Sequence, residues 1–243
     1  MHARLDRLVE EVRSDRSSGA SELLISVVEG LLSILRDENV GSGALERFAM
    51  RLQTAKPAMA PIFNLSNLML SSIEDLGSPA APPPGLVPAL ERMLEEERTS
   101  PSRIAAFASR EIVATSLVTL SYSSAVIAVL SRLKEKGDLT VTVAESLPGG
   151  EGRRTAEIAS SFGIETRVVP DSNLGVWMGE ADAVVVGADA VGPGHVVNKV
   201  GTSLLALAAK ERGVRAYAVG SWSKLSPLAV TDFGLHEEGG PGG

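Results

Sequence analysis

The chain contains no cysteine, which removes disulfides, thiolate metal sites and cysteine nucleophiles from consideration. Aromatic residues make up only 4% of it, so the core must be assembled from Leu, Val, Ile and Ala, a texture suited to helices packed on a sheet. It also lacks an apolar run of about 18 residues and a signal-like N-terminus, so the expectation is a soluble, cytoplasmic protein with no membrane partner. Basic charge is not in excess either. The 23 Lys and Arg face 30 Asp and Glu, for a formal net charge of −7, which argues against direct nucleic-acid binding, because phosphate neutralisation needs a basic face. A local basic pocket is compatible with that balance.

What is present is ordinary globular material. With 243 residues, 44% of them hydrophobic and 22% charged, the chain is long enough to bury one large core or two smaller ones. From Glu22 to Arg36, the residues Leu23, Leu24, Val27, Val28, Leu31, Leu32 and Leu35 recur at helical spacing and predict a core helix. Further helical patterns run over Gly43 to Thr54 and from about Pro61 to Asp75. Gly77 to Pro88 holds five prolines and two glycines and reads as a linker. A charged helical pattern resumes over Leu90 to Ala108, with an expected break at Pro101.

After residue 110 short β-branched runs alternate with helical stretches. The runs are Ile112 to Leu120, Leu139 to Ala144, Glu165 to Val169, Ala183 to Val186 and Ala216 to Val219. Helical intervals lie at Ser123 to Lys136, Gly152 to Phe162 and Gly201 to Arg212. Such alternation predicts a parallel sheet covered on both faces with right-handed crossovers. The fold class expected is therefore α/β, a helical N-terminal domain over 1–108 followed by a Rossmann-like, doubly wound parallel sheet over 109–236. Residues 237–243, rich in glycine with two acids, read as a disordered tail.

In an open parallel sheet, ligands bind outside the carboxyl ends of the strands, so chemistry is sought there. Gly149 to Arg154 is a glycine-rich turn opening a helix, where backbone N–H groups, the helix dipole and Arg153 suit an anion; a plain turn with a solvated arginine is the competing reading. Asn198-Lys199-Val200-Gly201-Thr202 precedes another helix and offers an amide, an ammonium and a hydroxyl, with simple capping by Thr202 as the alternative. Lys224 follows the fifth run and is expected on the same rim as Arg153 and Lys199. Asp189 ends an apolar strand, where a carboxylate is costly unless hydrogen-bonded or used as an acid or base. His195 lies between glycines and reads as solvent-facing. Glu145 and Asp171 either orient sugar hydroxyls or start turns. Ser121 to Ser124 lacks both a G-x-S-x-G elbow and a dinucleotide fingerprint, which disfavours hydrolase and nicotinamide-dependent chemistry; hydroxyls such as Ser123 there read as caps or phosphate ligands.

Taken together, Glu145-Ser146-x-Pro148, Glu151-Gly152-Arg153, Gly187-Ala188-Asp189-Ala190 and Asn198-Lys199-Val200-Gly201-Thr202 resemble, in this order, one superfamily. It joins the regulatory alpha, beta and delta subunits of eukaryotic translation initiation factor 2B with the isomerases of ribose 1,5-bisphosphate and 5-methylthioribose 1-phosphate. Asp15-Arg16-x-x-Gly19-Ala20 and Lys56-Pro57 echo it in the N-terminal half. The resemblance implies a helical domain before a Rossmann-like one, no cofactor and no metal, and pairing into a homodimer or larger assembly. It implies ligand-binding roles for Arg16, Gly19, Ala20, Ser123, Arg153, Asn198, Lys199 and Lys224.

In the isomerases, the resemblance further implies, an aspartate and a cysteine move protons during aldose to ketose conversion. The aspartate matches Asp189 and the cysteine position matches Ser121, with Leu120 where the isomerases carry histidine. A Tyr-Ser pair after the substituted position, here Tyr122-Ser123, is what the regulatory subunits tend to show. Two roles follow: a ligand-binding, non-catalytic or regulatory subunit, or an isomerase using Asp189 with Ser121 or a water in the thiol's place.

Overall fold

A computed structural model describes residues 2–74 and 81–227. The chain divides into two compact units. The first takes the residues up to Arg98 together with Asp189–His195 and the segment from Ser223, and the second takes Thr99–Ala188 and Val196–Trp222.

The first unit is built on helices α1 (Ala3–Ser14), α2 (Ala20–Asp37), α3 (Ser42–Ala55), α4 (Ala60–Glu74) and the start of α5 (Leu86–Glu111). The apolar stripe of α2 buries Leu23, Leu24, Val27, Val28, Leu31 and Leu32. Those residues form one core with Leu5, Val9 and Val12 of α1, Leu45, Phe48 and Leu52 of α3, and Ile62, Leu65 and Met69 of α4. Helix α1 lies outside the elements expected from the sequence, although its buried Leu5, Leu8, Val9 and Val12 have helical spacing. Pro101 does not break α5: the helix runs through it, giving up only the backbone bond that a proline cannot donate. Of the expected linker, residues 77–80 lie outside the described residues, and the rest leads directly into α5 at Leu86. The expected disordered tail also lies outside the described residues.

The second unit is α/β. Strands β1 (Ser116–Thr119), β2 (Thr140–Ala144), β3 (Glu165–Val169), β4 (Ala183–Val186) and β7 (Arg215–Ala218) form one sheet in the order β3-β2-β1-β4-β7. All four pairings are parallel, with Leu117 beside Val141 and Ala183, and Val184 beside Ala216. Chain order reverses between β1 and β4, and that switch point is where an open α/β sheet presents its ligand crevice. Alternation along the strands sends side chains to two cores. Leu117, Val141, Val143, Ala183 and Val185 pack with α6 (Ser124–Lys134) and α7 (Glu151–Ser161). Val118, Ala144, Val184 and Val186 pack with Leu174 of α8 (Leu174–Trp177) and Leu205 and Ala209 of α9 (Thr202–Glu211). The sheet is thus doubly wound, as the alternating runs predict. Short strands β5 (Ala190–Gly192) and β6 (His195–Val197) follow β4. His195 begins β6 half-buried, its Nδ1 3.2 Å from the Pro193 carbonyl, rather than facing solvent from a loop.

Among the described residues no helix is long and apolar enough to cross a membrane.

Candidate functional site

Helices α6 and α7 begin after the carboxyl ends of β1 and β2, and α9 begins after β6, with Asn198 ahead of it close to Gly187 at the end of β4. Helix α6 is capped by Ser123, whose Oγ accepts from the Val126 amide. Helices α7 and α9 follow Gly150 and Gly201, both in the left-handed region (φ 73° and 99°), which offer no capping side chain. Glycine is the residue that adopts that conformation at little cost. The Gly152 and Arg153 amides donate to the Glu145 and Gly150 carbonyls, and the Thr202 amide to the Lys199 carbonyl. Two further glycines let these pieces close up. A Cβ on Gly152 would stand 1.7 Å from the Ala144 carbonyl oxygen, so the first turn of α7 sits directly on the end of β2. A Cβ on Gly187 would stand 2.7 Å from Ser123 Oγ and 3.9 Å from Asn198 Oδ1, so Ser123, Gly187 and Asn198 converge.

The expected cations of this rim have internal partners. Lys199 Nζ donates to Glu151 Oε1 at 2.8 Å, and the exposed Arg153 pairs with Glu145. Thr202 is not the cap of α9: it is the first helical residue, its hydroxyl donating to the Lys199 carbonyl (2.6 Å) and accepting from Asn198 Nδ2 (3.1 Å). Arg154 stacks 3.6 Å over the ring of Tyr122. Asp171 starts the turn after β3, accepting the amides of Ser146 and Leu147. Ser121 has a left-handed backbone (φ 61°).

The remaining candidates lie in the first unit. Arg16 is exposed and makes no ion pair among the described residues; Gly19 caps α2, and Ala20 begins that helix, buried. Beside them Asp15 accepts from Ser17 and Ser18, and Lys56 donates to the Asp15 carbonyl at 2.6 Å. Burial opposes ionisation of the Asp15 carboxyl, but the bonds from Ser18 and Ser17 and the Lys56 charge outweigh it and hold the pKa below the usual range.

The Asp189 carbonyl accepts from the Ala60 amide at the start of α4. Asn64 of α4 donates to the carbonyls of Ser223 and Leu225, flanking Lys224. Lys224 is buried, 3.8 Å from the equally buried Glu97. Burial pushes the Lys224 ammonium down to about 8, against the restraining charges of Glu97 and Asp189. The structure therefore groups Asp189, Lys224 and Glu97 in one unit, and Ser121, Ser123, Arg153, Asn198 and Lys199 in the other.

Sequence reasoning does not single out Glu97, and it names Glu151 only within a motif. The signal for Glu97 is its place on the buried line of Leu86, Leu90 and Ser100 along α5, where a carboxylate requires a partner.

A family model described as the initiation factor 2 subunit family matches residues 8–242. The chain is 32% identical over 241 residues to an eIF-2B subunit 2-like protein of Pyrococcus abyssi, covering 96% of this chain and 84% of that protein. A ribose 1,5-bisphosphate isomerase of Archaeoglobus fulgidus is 28% identical over 232 residues, or 91% of this chain and 72% of that protein. The crystal structure of translation initiation factor eIF-2B from Pyrococcus horikoshii matches with a TM-score of 0.85 at 27% identity, covering 96% of this chain and 84% of that one.

Proposed function

Because the chain belongs to the initiation factor 2 subunit family, we propose that it binds a small phosphorylated ligand, a sugar phosphate or nucleoside monophosphate, at the strand ends of the second unit. The role proposed is regulatory rather than catalytic. The observation that carries the reading is the convergence at the strand ends of two helices started by left-handed glycines, α7 and α9, whose N-termini carry the positive end of the helix dipole and which Lys199 and Glu151 join at 2.8 Å. Lys199 and Arg153 add charge, and Ser123 and Asn198 add hydrogen-bonding groups. A bound anion takes Lys199 over from Glu151.

Ser121 supports the non-catalytic role. At the position matching the isomerases' cysteine it offers a hydroxyl, far weaker as an acid than a thiol with a pKa of about 8.5. A homodimer or larger assembly belongs to the same proposal, supported by the exposed apolar residues Val200, Leu204 and Leu207 at and along α9.

The second reading, an aldose–ketose isomerase using Asp189, is favoured by the match to the Archaeoglobus fulgidus isomerase over most of its length. A thermal-shift panel of ribose 1,5-bisphosphate, 5-methylthioribose 1-phosphate and AMP, with ketose formation followed for each hit, separates the two. A ligand at about 100 times its Kd adds about 2.7 kcal/mol of stability. Stabilisation without turnover supports the regulatory reading, stabilisation with turnover establishes the isomerase, and no shift with any of the three removes the ligand site.

A further inference from the structure

We propose that Asp171 and Ser146 are positioning residues for Ser121, fixing its backbone so that its hydroxyl is presented at the strand-end site. The proposal deepens the ligand reading, and depends on it only for what the hydroxyl meets there, namely a hydroxyl of the sugar.

Ser121 and Ser146 both have positive φ, 61° and 65°, a region that costs a residue with a Cβ what it does not cost glycine. The strain is held in place by side chains from neighbouring strand ends. Ser146 Oγ accepts from the Ser121 amide at 2.6 Å and donates to the Ala144 carbonyl at 3.1 Å. Asp171 accepts the Ser146 amide on Oδ1 at 2.7 Å and the Leu147 amide on Oδ2 at 2.8 Å. From the other side, Thr155 Oγ1 donates to the Ser121 carbonyl at 2.7 Å.

Both polar groups of the Ser121 backbone are therefore taken by side chains from elsewhere in the unit, and both of those side chains, Ser146 and Thr155, are essentially inaccessible. A relay that overdetermines a disfavoured conformation is characteristic of places where side-chain direction matters. A second observation lies two residues earlier. Thr119 Oγ1 is buried with no hydrogen-bond partner, a desolvated hydroxyl at the end of the same strand.

The absence of cysteine makes the test direct. Ser121→Cys creates a single thiol in the full-length chain, and its alkylation by iodoacetamide across pH 6–9 reads the environment of that side chain without any ligand. Ser146→Ala or the milder Asp171→Asn in that background is expected to raise the alkylation rate at least fivefold. Val141→Ala, a core truncation outside the relay, serves as the control for general loosening and is expected to leave the rate within twofold.

Rates within twofold of the Ser121→Cys parent for both relay variants, each shown folded by circular dichroism, overturn the proposal, as does an equal rise in the Val141→Ala control. Should one relay variant fail to fold, the other decides. Protection of the thiol by ribose 1,5-bisphosphate is scored separately. A relay effect without protection keeps the positioning role and counts against the sugar-phosphate reading.

Discussion

Lys199 Nζ lies 2.8 Å from Glu151 Oε1, and both side chains are 19% exposed. The pair ties the segment before α9 to the first turn of α7, where Glu151 acts as an internal anion at the positive end of the helix. On the proposed reading, an incoming phosphate would compete with that carboxylate for the same ammonium. Lys199→Ala is expected to weaken binding of a phosphorylated ligand by about 1.5–3 kcal/mol, the worth of a charge-assisted hydrogen bond. Glu151→Gln is expected to tighten it by about 1 kcal/mol while lowering stability by a similar amount. Calorimetric titration of the three proteins at one salt concentration checks both signs, and weaker binding in Glu151→Gln would show that the carboxylate is not a competitor.

The burial of Lys224 makes a statement about pH. Its folded pKa is lowered to about 8 from an ordinary 10.5, so between those values the unfolded chain holds the extra proton and stability rises with pH. From this group alone the gain between pH 8 and 10 is about 1–3 kcal/mol. Replacing both members of the pair, Glu97→Gln with Lys224→Met, removes both of these buried charges together and is expected to flatten the dependence. Chemical denaturation at pH 7.5, 9 and 10 measures it. Parallel pH profiles for the two proteins would mean that Lys224 does not titrate there.

Gly152 is fixed by backbone rather than by conformation. Its missing Cβ would fall 1.7 Å from the Ala144 carbonyl oxygen, so Gly152→Ala must push the start of α7 off β2, an overpacking cost of about 3 kcal/mol or more. Gly175→Ala, where nothing lies within 4 Å of the added methyl, is expected to change stability by about 0.5 kcal/mol or less. Thermal midpoints of the two variants decide the contrast.

The sheet was legible because its central strands β1, β2 and β4 are buried along most of their length. Leu139 to Ala144 and Ala183 to Val186 read as short β-branched runs bounded by turns, and the structure returns them as β2 and β4 within a residue. Helix α5 was less legible at Pro101, since proline marks a break only where neighbouring turns do not hold the helix, and burial of Ser100 and Ala105 on either side keeps it.

At the site, the identity of the strand-end residues was legible but their partners were not. Nothing in the spacing of Glu151 and Lys199 announces that they meet across 48 positions. The left-handed backbones of Ser121 and Ser146 are likewise set by tertiary hydrogen bonds rather than by a local glycine. Lys224 reads as a rim cation from sequence order alone, whereas its 4% exposure reflects packing in the first unit.

The central claim is that phosphate is bound by the second unit at the N-termini of α7 and α9. The most direct measurement is calorimetric titration of ribose 1,5-bisphosphate, with ribose as the control, into the wild-type chain and into an Arg153→Ala, Lys199→Ala double variant. The account predicts binding of the bisphosphate but not of ribose by the wild-type chain, and at least tenfold weaker binding by the folded double variant. Equal affinity in the two proteins, or no binding of the bisphosphate by the wild-type chain, would contradict it.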